Sequence, residues 1–440
     1  MARHGINRTL LRWLEQDPIG QALVAEFDSN FLALAKKFFN ATSDAERLVA
    51  AELLAKIILI RNDMQDMAIL RREVRTLELM RAISYPRQTD HSAHTVYVFF
   101  LGIWLYANCP SIASAFGERY LWYGNPLIDF VFPWEFAGLL HDIGYIFSEP
   151  ANVTPSSRRL AERFFQTASL TAQLQPRNPD CATDFLEFMV FIRKLTRDVP
   201  WEWPFYCSGD CSDQLNSLRR LPWLSHFNED VDAFGLFHRH KPASTIGADG
   251  LEVYAYSVAE SGYDGHSVGQ VDHAIASALF LLQWSTYWYW LADRTKGVNQ
   301  DWYELYFCKS EETGQQRYNY DFTNVTKLMV PTLYSVACHN IQTSRPEGRR
   351  LLPIRLHDDP LAYLSILCDE LQKWDRFPAG NSHIHNLEDF AESSLVSEDI
   401  QLSLKDSPRF HVRCRNSIRK RIVNALDDRL LNWSTIVRVT

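Results

Sequence analysis

The chain has 440 residues, of which 46% are hydrophobic and 22% charged, and its formal net charge is −8. This much apolar and aromatic surface excludes a disordered or fibrous chain. The negative charge argues against a general affinity for nucleic acid or anionic membranes, although it leaves room for a local basic groove. The eight cysteines show no regular spacing, which favours a reducing compartment and a cytoplasmic location.

The apolar segments predict a chain without membrane spans. The N-terminal residues lack the apolar stretch and the cleavage site of a secretion signal. The run at 274–292 is long enough to cross a bilayer, but it contains polar residues such as Ser277 and Gln283 and follows Asp272. We interpret it as a buried helix of an all-α core, and we expect no membrane partner.

Hydrophobic periodicity predicts helices along most of the chain, and few βαβ patterns appear, so the predicted fold class is all-α. Pro133 is predicted to open one of these helices and Gly144 to cap its C-terminus. The predicted helices cover 19–39, 47–83 after a capping box at 43–46, 91–106, 134–143, 268–292, 322–342 and 360–376. A loop is predicted at 377–408, one strand near Phe410, and a closing helix at 417–433.

These elements predict three parts: an N-terminal helical extension at 1–84, a core at 85–378 with insertions near 148–230 and 293–321, and a small α+β tail at 379–440. The tail is basic, because residues 409–421 hold six basic and no acidic side chains. Three successive aromatic residues at 288–290 cannot all face one core. At least one of them packs on an added domain, on a second subunit of a homo-oligomer, or on a base.

The strongest local feature is an apolar helix that ends in the adjacent pair His141-Asp142. Burying these side chains is costly unless they are paired or bind an ion. Neighbours on a helix diverge by about 100°, yet at its end both can reach one ion, and the carboxylate can bridge to a second. The chain contains a second pair, His357-Asp358, but Asp359-Pro360 follows it. An aspartate there is explained as a helix cap, so we interpret that pair as structural.

Other apolar helices also carry a histidine or an aspartate at an end or flank. Each alone is best explained as a satisfied buried polar group, whereas five such helices, counting the one that ends at His141-Asp142, favour one shared site. On the last helix, Asp369 lies beside the leucine stripe on a row where small side chains leave room for a site. The additional candidates are His91, His94, Asp272, His273, His339 and Asp369.

In these residues the sequence resembles the HD-domain superfamily of metal-dependent phosphohydrolases, whose pattern H…HD…D lies on about five core helices. His91, the pair His141-Asp142, and Asp369 match that pattern in order. The surroundings match as well: His-Ser-x-x-x-Val, Leu-Leu-His-Asp-Ile-Gly, and Ala-Tyr-Leu-x-Ile-Leu-Cys-Asp-Glu. The resemblance covers roughly residues 85–378 and implies an HD-domain helical bundle.

Two-metal members of this superfamily, which include the HD-GYP cyclic-dinucleotide phosphodiesterases, have two further histidines between the doublet and the final aspartate. His273 and His339 are similar to those, although the GYP motif itself is absent. His94 lies one turn from His91 and is the alternative first ligand; His91 is preferred for its place before Ser-x-x-x-Val. The ligand set implied by the resemblance is His91, His141, Asp142, His273, His339 and Asp369.

Imidazole and carboxylate ligands suit one or two divalent ions of Mn, Fe, Co, Ni or Zn better than Mg. A metal-activated water would attack phosphorus, with Asp142 as the bridging ligand. His94 or His240 would protonate the leaving group, and the phosphate charge would be neutralised by Arg87, Arg239 and Lys241.

The expected activity is hydrolysis of a phosphomonoester or phosphodiester in a nucleotide, a cyclic nucleotide or single-stranded nucleic acid. Two alternatives stay open. One is the diiron oxygenase branch of the same fold, which includes myo-inositol oxygenase and differs in iron content and O₂ consumption. The other is a non-catalytic sensor or scaffold that binds a nucleotide without turnover.

Overall fold

The structure is a computed structural model, and its described part is mostly helical, as predicted. The predicted insertions near 148–230 and 293–321 and the aromatic run at 288–290 lie outside the described residues. The described residues are 5–60, 67–68, 71–72, 91–120, 124–144, 273–274, 277–278, 281–282, 285, 329–340, 353–372, 401–406, 409–414 and 416–440.

Four helices form the described N-terminal region: α1 (Gly5–Gln16), α2 (Pro18–Glu26), α3 (Phe31–Asn40) and α4 (Asp44–Ile60). The single helix predicted at 19–39 is wrong, because α2 and α3 are separate. The Asp28 side chain between them accepts a hydrogen bond from the Asn30 amide at 2.8 Å and forms a turn that replaces helix.

The capping box that begins α4 is confirmed. The Ser43 hydroxyl accepts a hydrogen bond from the Glu46 amide at 3.2 Å. The Glu46 carboxylate in turn accepts one from the Thr42 amide at 3.0 Å. Two backbone donors at the start of the helix are satisfied in this way.

The centre of the described fold contains α5 (His91–Asn108), α6 (Pro110–Arg119) and α7 (Pro126–Leu140). Nearly every residue of α5 is buried, which explains why it is apolar all round. Within the described ranges, no helix alone is long and apolar enough to cross a membrane. Only α5 and α6 together meet that criterion, and they are bent by 95°.

The predicted start of α7 is wrong, since Pro133 lies inside the helix. The earlier start has a local cause. The Asn125 side chain accepts hydrogen bonds from the amides of Leu127 and Ile128, and Pro126 occupies the first turn, where its missing N–H costs nothing. The helix ends at Leu140, and therefore Gly144 is not its cap.

α5 and α7 approach each other closely and run in opposite directions. Gly102 leaves room for the Trp134 ring, because a side chain at that position would collide with the indole. The Trp134 indole N–H donates to the carbonyl of Phe99 at 2.9 Å. Gly138 gives a second close contact to Phe99. This packing brings the first turn of α5 to the last turn of α7.

Two further helices lie near the place where the start of α5 meets the end of α7. They are α8 (Val330–Cys338) and α9 (Pro360–Leu371). Described positions between 273 and 285 are also helical. The predicted cap of α9 is present, since the Asp359 side chain accepts from the Ala362 amide at 3.0 Å. His357 is exposed and lies 3.8 Å from the Glu118 carboxylate.

The C-terminal residues form a small α/β unit with strands β1 (Gln401–Asp406), β2 (Arg409–Arg413) and β3 (Val437–Val439), and helix α10 (Asn416–Arg429). β2 lies between the other two, antiparallel to β1 and parallel to β3. The strand and helix predicted for the tail are present, whereas β1 replaces the end of the predicted loop. The alternation in Gln401-Leu-Ser-Leu-Lys-Asp is the pattern of that strand.

The C-terminal unit is attached to the segment that precedes α9. The Ile354 amide donates to the carbonyl of Arg429 at 2.9 Å, and the Leu431 amide donates back to the carbonyl of Ile354 at 2.9 Å. α10 also packs against α9. The tail predicted as a separate part therefore contacts the helices that surround the candidate site.

Candidate metal centre

Helix ends bring histidines and aspartates from distant parts of the chain to one buried place. His94 lies in the first turn of α5, His141 and Asp142 follow α7, and His339 follows α8. With His273 they form two buried groups that could each hold a metal ion, and Asp142 belongs to both. The groups are His94, His141 and Asp142, and Asp142, His273 and His339.

The first group is compact. His94 Nε2 lies 3.4 Å from His141 Nε2 and 3.7 Å from Asp142 Oδ2. His141 Nε2 lies 3.4 Å from the same carboxylate oxygen. Asp369 of α9 adds a second carboxylate, since its Oδ1 lies 2.9 Å from His94 Nε2 and 4.0 Å from His141 Nε2.

The second group uses the other oxygen of the same aspartate. Asp142 Oδ1 lies 3.4 Å from His339 Nε2 and 3.7 Å from His273 Nε2. The two imidazole nitrogens lie 3.2 Å apart. Asp142 therefore directs Oδ2 to the first group and Oδ1 to the second, which is the geometry of a bridging carboxylate.

Hydrogen bonds behind the imidazoles fix their tautomers. His141 Nδ1 lies 3.2 Å from the carbonyl oxygen of Gly138, and His339 Nδ1 lies 2.7 Å from that of Val336. Because a carbonyl oxygen can only accept, each Nδ1 carries the hydrogen, and in the neutral ring Nε2 presents a lone pair. His94 Nδ1 contacts Oε1 of the buried Gln372 in the same way.

Lone pairs and carboxylate oxygens that face one another in a buried space repel unless a cation or proton lies between them. Donors at about 2.0–2.2 Å from a common transition-metal ion lie about 2.8–3.6 Å apart. Four of the six separations within the two groups, at 3.2 to 3.4 Å, lie in this range, and the other two, at 3.7 Å, lie just above it. The spacing and orientation of the donors thus fit one ion in each group.

The protonation states of His141 and Asp142 also suit metal binding. Burial lowers the pKa of His141 to about 3, against the opposing charge of Asp142. Burial raises the pKa of Asp142, but the charge of His141 and the contacts with His339 and His91 outweigh it and hold the pKa well below its usual range. Burial lowers the pKa of His339, but the neighbouring Asp142 carboxylate outweighs that effect, so the net shift is upward and a proton competes with a metal ion for this ring. Neutral imidazole and ionised carboxylate are the forms that bind metals.

The structure places His91 and His94 differently. His94 belongs to the first group. His91 Nδ1 instead donates to Asp142 Oδ2 at 2.9 Å, so its hydrogen bond orients the shared carboxylate.

The other residues of the predicted site divide into two sets. His141, Asp142, His273 and His339 lie in the two groups, and Asp369 lies beside the first. The predicted residues that lie outside the described ranges are Arg87, Arg239, His240 and Lys241.

Gly144 and Ser277 have a structural role that the sequence did not indicate. The Gly144 amide donates to Ser277 Oγ at 2.7 Å, and Ser277 Oγ donates to the carbonyl of His273 at 2.9 Å. A side chain at Gly144 would collide with the backbone of His273 and Ser277. This contact sets the distance between the His141-Asp142 turn and the segment that carries His273.

Comparisons with models of protein families, with curated proteins and with solved structures found no match to this chain. Its chemistry is therefore inferred from the two buried groups and the carboxylate beside them. Together they supply four imidazoles and two carboxylates.

Proposed function

We propose that this chain is a metal-dependent phosphohydrolase of the HD type that binds two divalent transition-metal ions. One observation carries the proposal: the two oxygens of Asp142 belong to two different buried groups of metal donors. A pair of ions a few ångströms apart is a common solution for hydrolysing phosphoesters. The order H…HD…H…H…D along the chain supports the same conclusion.

The proposed first ion would be held by His94, His141, Asp142 and Asp369, and the second by Asp142, His273 and His339. We assign the first position to His94 rather than His91 because His94 lies in one donor group with His141 and Asp142, whereas His91 donates a hydrogen bond to Asp142. In this assignment both nitrogens of His94 are engaged, one by the first group and one by Gln372. His94 therefore acts as a ligand, and protonation of the leaving group is left to His240.

The donor set favours Mn, Fe, Co, Ni or Zn over Mg, because imidazoles outnumber carboxylates. When bound, such ions polarise a phosphoryl oxygen and lower the pKa of a coordinated water toward neutrality. Asp142 would serve both ions with its two oxygens, and its orientation is set by the hydrogen bond from His91. Neutral imidazoles would not cancel the charge of the ions, so net positive charge would remain to attract the substrate phosphate.

The proposed substrate is a nucleotide, a cyclic nucleotide or single-stranded nucleic acid, with Arg87, Arg239 and Lys241 at its phosphates. The proposed architecture is an HD-domain bundle at 85–378, preceded by the extension at 1–84 and followed by the tail at 379–440.

The test combines metal analysis with a substrate screen. Purified protein is analysed by mass spectrometry for metal content, stripped, and reloaded with each candidate ion. Mononucleotides, cyclic nucleotides, cyclic dinucleotides and single-stranded oligonucleotides are then screened for release of phosphate or nucleoside monophosphate. We expect about two ions per chain and metal-dependent release from at least one substrate.

The alternatives give different results in the same experiment. Two ions with no hydrolysis of any substrate would refute the phosphohydrolase. Bound iron with consumption of O₂ would identify the oxygenase, and nucleotide binding without turnover would identify the sensor. The chain supplies a matched control, because Asp142 and Asp358 both follow a histidine but only Asp142 lies in a donor group. Asp142→Asn should lose the metal, and Asp358→Asn should keep it.

A further inference from the structure

Arg429 is a buried arginine that ends α10 in the C-terminal unit and reaches the helices of the metal centre. Its Nη1 donates to Glu370 Oε1 at 2.7 Å and to the carbonyl oxygen of His339 at 3.4 Å. Its Nη2 donates to Asn340 Oδ1 at 3.3 Å. One guanidinium thus contacts both the end of α8 and a side chain of α9.

Both contacted helices carry proposed ligands. His339 itself belongs to the second group, and Glu370 is adjacent to Asp369 beside the first. The carbonyl of His339 lies at the C-terminal end of α8, where helix carbonyls lack partners within the helix. An arginine is suited to this place because its planar fork of donors can serve several acceptors at once.

Both the backbone and the side chain of Arg429 are held in place. The Arg429 carbonyl accepts a hydrogen bond from the Ile354 amide at 2.9 Å, and the Leu431 amide, two residues further on, donates to the Ile354 carbonyl at 2.9 Å. Its side chain and that of Glu370 are 9% and 7% exposed, so their ion pair is largely desolvated. A buried pair of this kind is sensitive to the loss of either member.

We propose that Arg429 is a positioning residue for the metal centre: it fixes the ends of α8 and α9 relative to each other and makes the C-terminal unit part of the site. This inference rests on the proposed two-metal site. The predicted basic tail would then support the metal centre through Arg429. This role does not depend on whether its exposed positive charges contact a substrate.

The experiment measures Co²⁺ binding to the stripped full-length protein by titration and by the visible absorption of the bound ion. Arg429→Lys keeps the charge beside Glu370 but loses the planar fork, and Arg429→Met loses both. We expect Co²⁺ affinity to fall about 10–100-fold in Arg429→Met and less in Arg429→Lys. Arg421→Met, on the exposed face of the same helix, should bind as the wild type does.

A double variant separates positioning from folding stability. Arg429→Met/Glu370→Met removes both buried charges, and so it avoids the unpaired carboxylate that a single substitution leaves. If its melting temperature recovers while Co²⁺ affinity and absorption stay altered, Arg429 positions the ligands. If affinity recovers together with stability, or if folded Arg429→Lys and the double variant bind as the wild type does, the inference is overturned. A wild type that binds none of Mn²⁺, Fe²⁺, Co²⁺, Ni²⁺ and Zn²⁺ would instead refute the proposed function.

Discussion

Replacing Gly144 by alanine tests whether one close contact sets the distance between the two donor groups. An added Cβ would lie 2.7 Å from Ser277 Oγ and closer still to backbone atoms of His273 and Ser277, whereas real Cβ atoms essentially never come within 3.0 Å of a neighbour. Because the nearest atoms belong to the backbone, rotation of a side chain cannot relieve the collision. The segment that carries His273 must retreat by on the order of 1 Å.

A displacement of that size is large for a metal site, where donor distances hold to about 0.2 Å. His273 Nε2 lies 3.2 Å from His339 Nε2 and 3.7 Å from Asp142 Oδ1, so its movement opens the second group. The first group contains no residue of that segment. We expect Gly144→Ala to retain about one of two ions and to lose about 1–3 kcal/mol of unfolding free energy.

Metal content by mass spectrometry, Co²⁺ titration and denaturant unfolding of the stripped protein measure these effects. Gly117→Ala is the matched control, because Gly117 is exposed on α6 and an added Cβ meets nothing within 4 Å. That variant should keep both ions and gain up to about 1 kcal/mol from helix propensity. If Gly144→Ala bound both ions with wild-type affinity, the inferred control of group spacing would be refuted.

Three other predictions follow from the site. Asp142→Asn should lose both ions in a metal assay, whereas Asp358→Asn should lose neither. Gln372→Leu should weaken the first ion about 10–100-fold in a Co²⁺ titration, because His94 loses the partner that orients its ring, and should spare the second. The metal-free protein should lose stability in denaturant unfolding as pH falls from 6.5 toward 3, since only the unfolded state protonates His141 in that window, at up to about 1.4 kcal/mol per pH unit. His141→Gln should flatten that slope; an unchanged slope would assign it to other groups.

The helices were predictable where burial dictates an apolar sequence. α5 is buried almost throughout, and its bounds were found within a few residues. The errors occur where a polar side chain decides a boundary. The Asp28 carboxylate stabilises a turn between α2 and α3. The Asn125 side chain caps the start of α7, which therefore begins before Pro133, the residue predicted to open it. Hydrophobic periodicity carries no information about these local hydrogen bonds.

The candidate ligands were predictable because a histidine or aspartate inside an apolar helix is costly to bury and therefore conspicuous. The choice between His91 and His94 could not be predicted, since the two lie one turn apart on the same helix. It depends on how α5 is rotated against α7, and that rotation is set by the packing of Trp134 into the space at Gly102. Only the assembled pair of helices brings His94 Nε2 to 3.4 Å from His141 Nε2.

The residues that support the ligands were beyond prediction for a different reason. Gly144 and Ser277 are 133 positions apart, His94 and Gln372 278 positions, and Glu370 and Arg429 59 positions. Glycine, serine, glutamine and arginine are common on surfaces and in loops, so none of them is conspicuous where it stands in the sequence. Each becomes important only because the fold places it against an element that carries a candidate ligand. A sequence pattern can therefore reveal a metal site through the cost of its ligands, while the contacts that fix the ligand geometry appear only in the assembled structure.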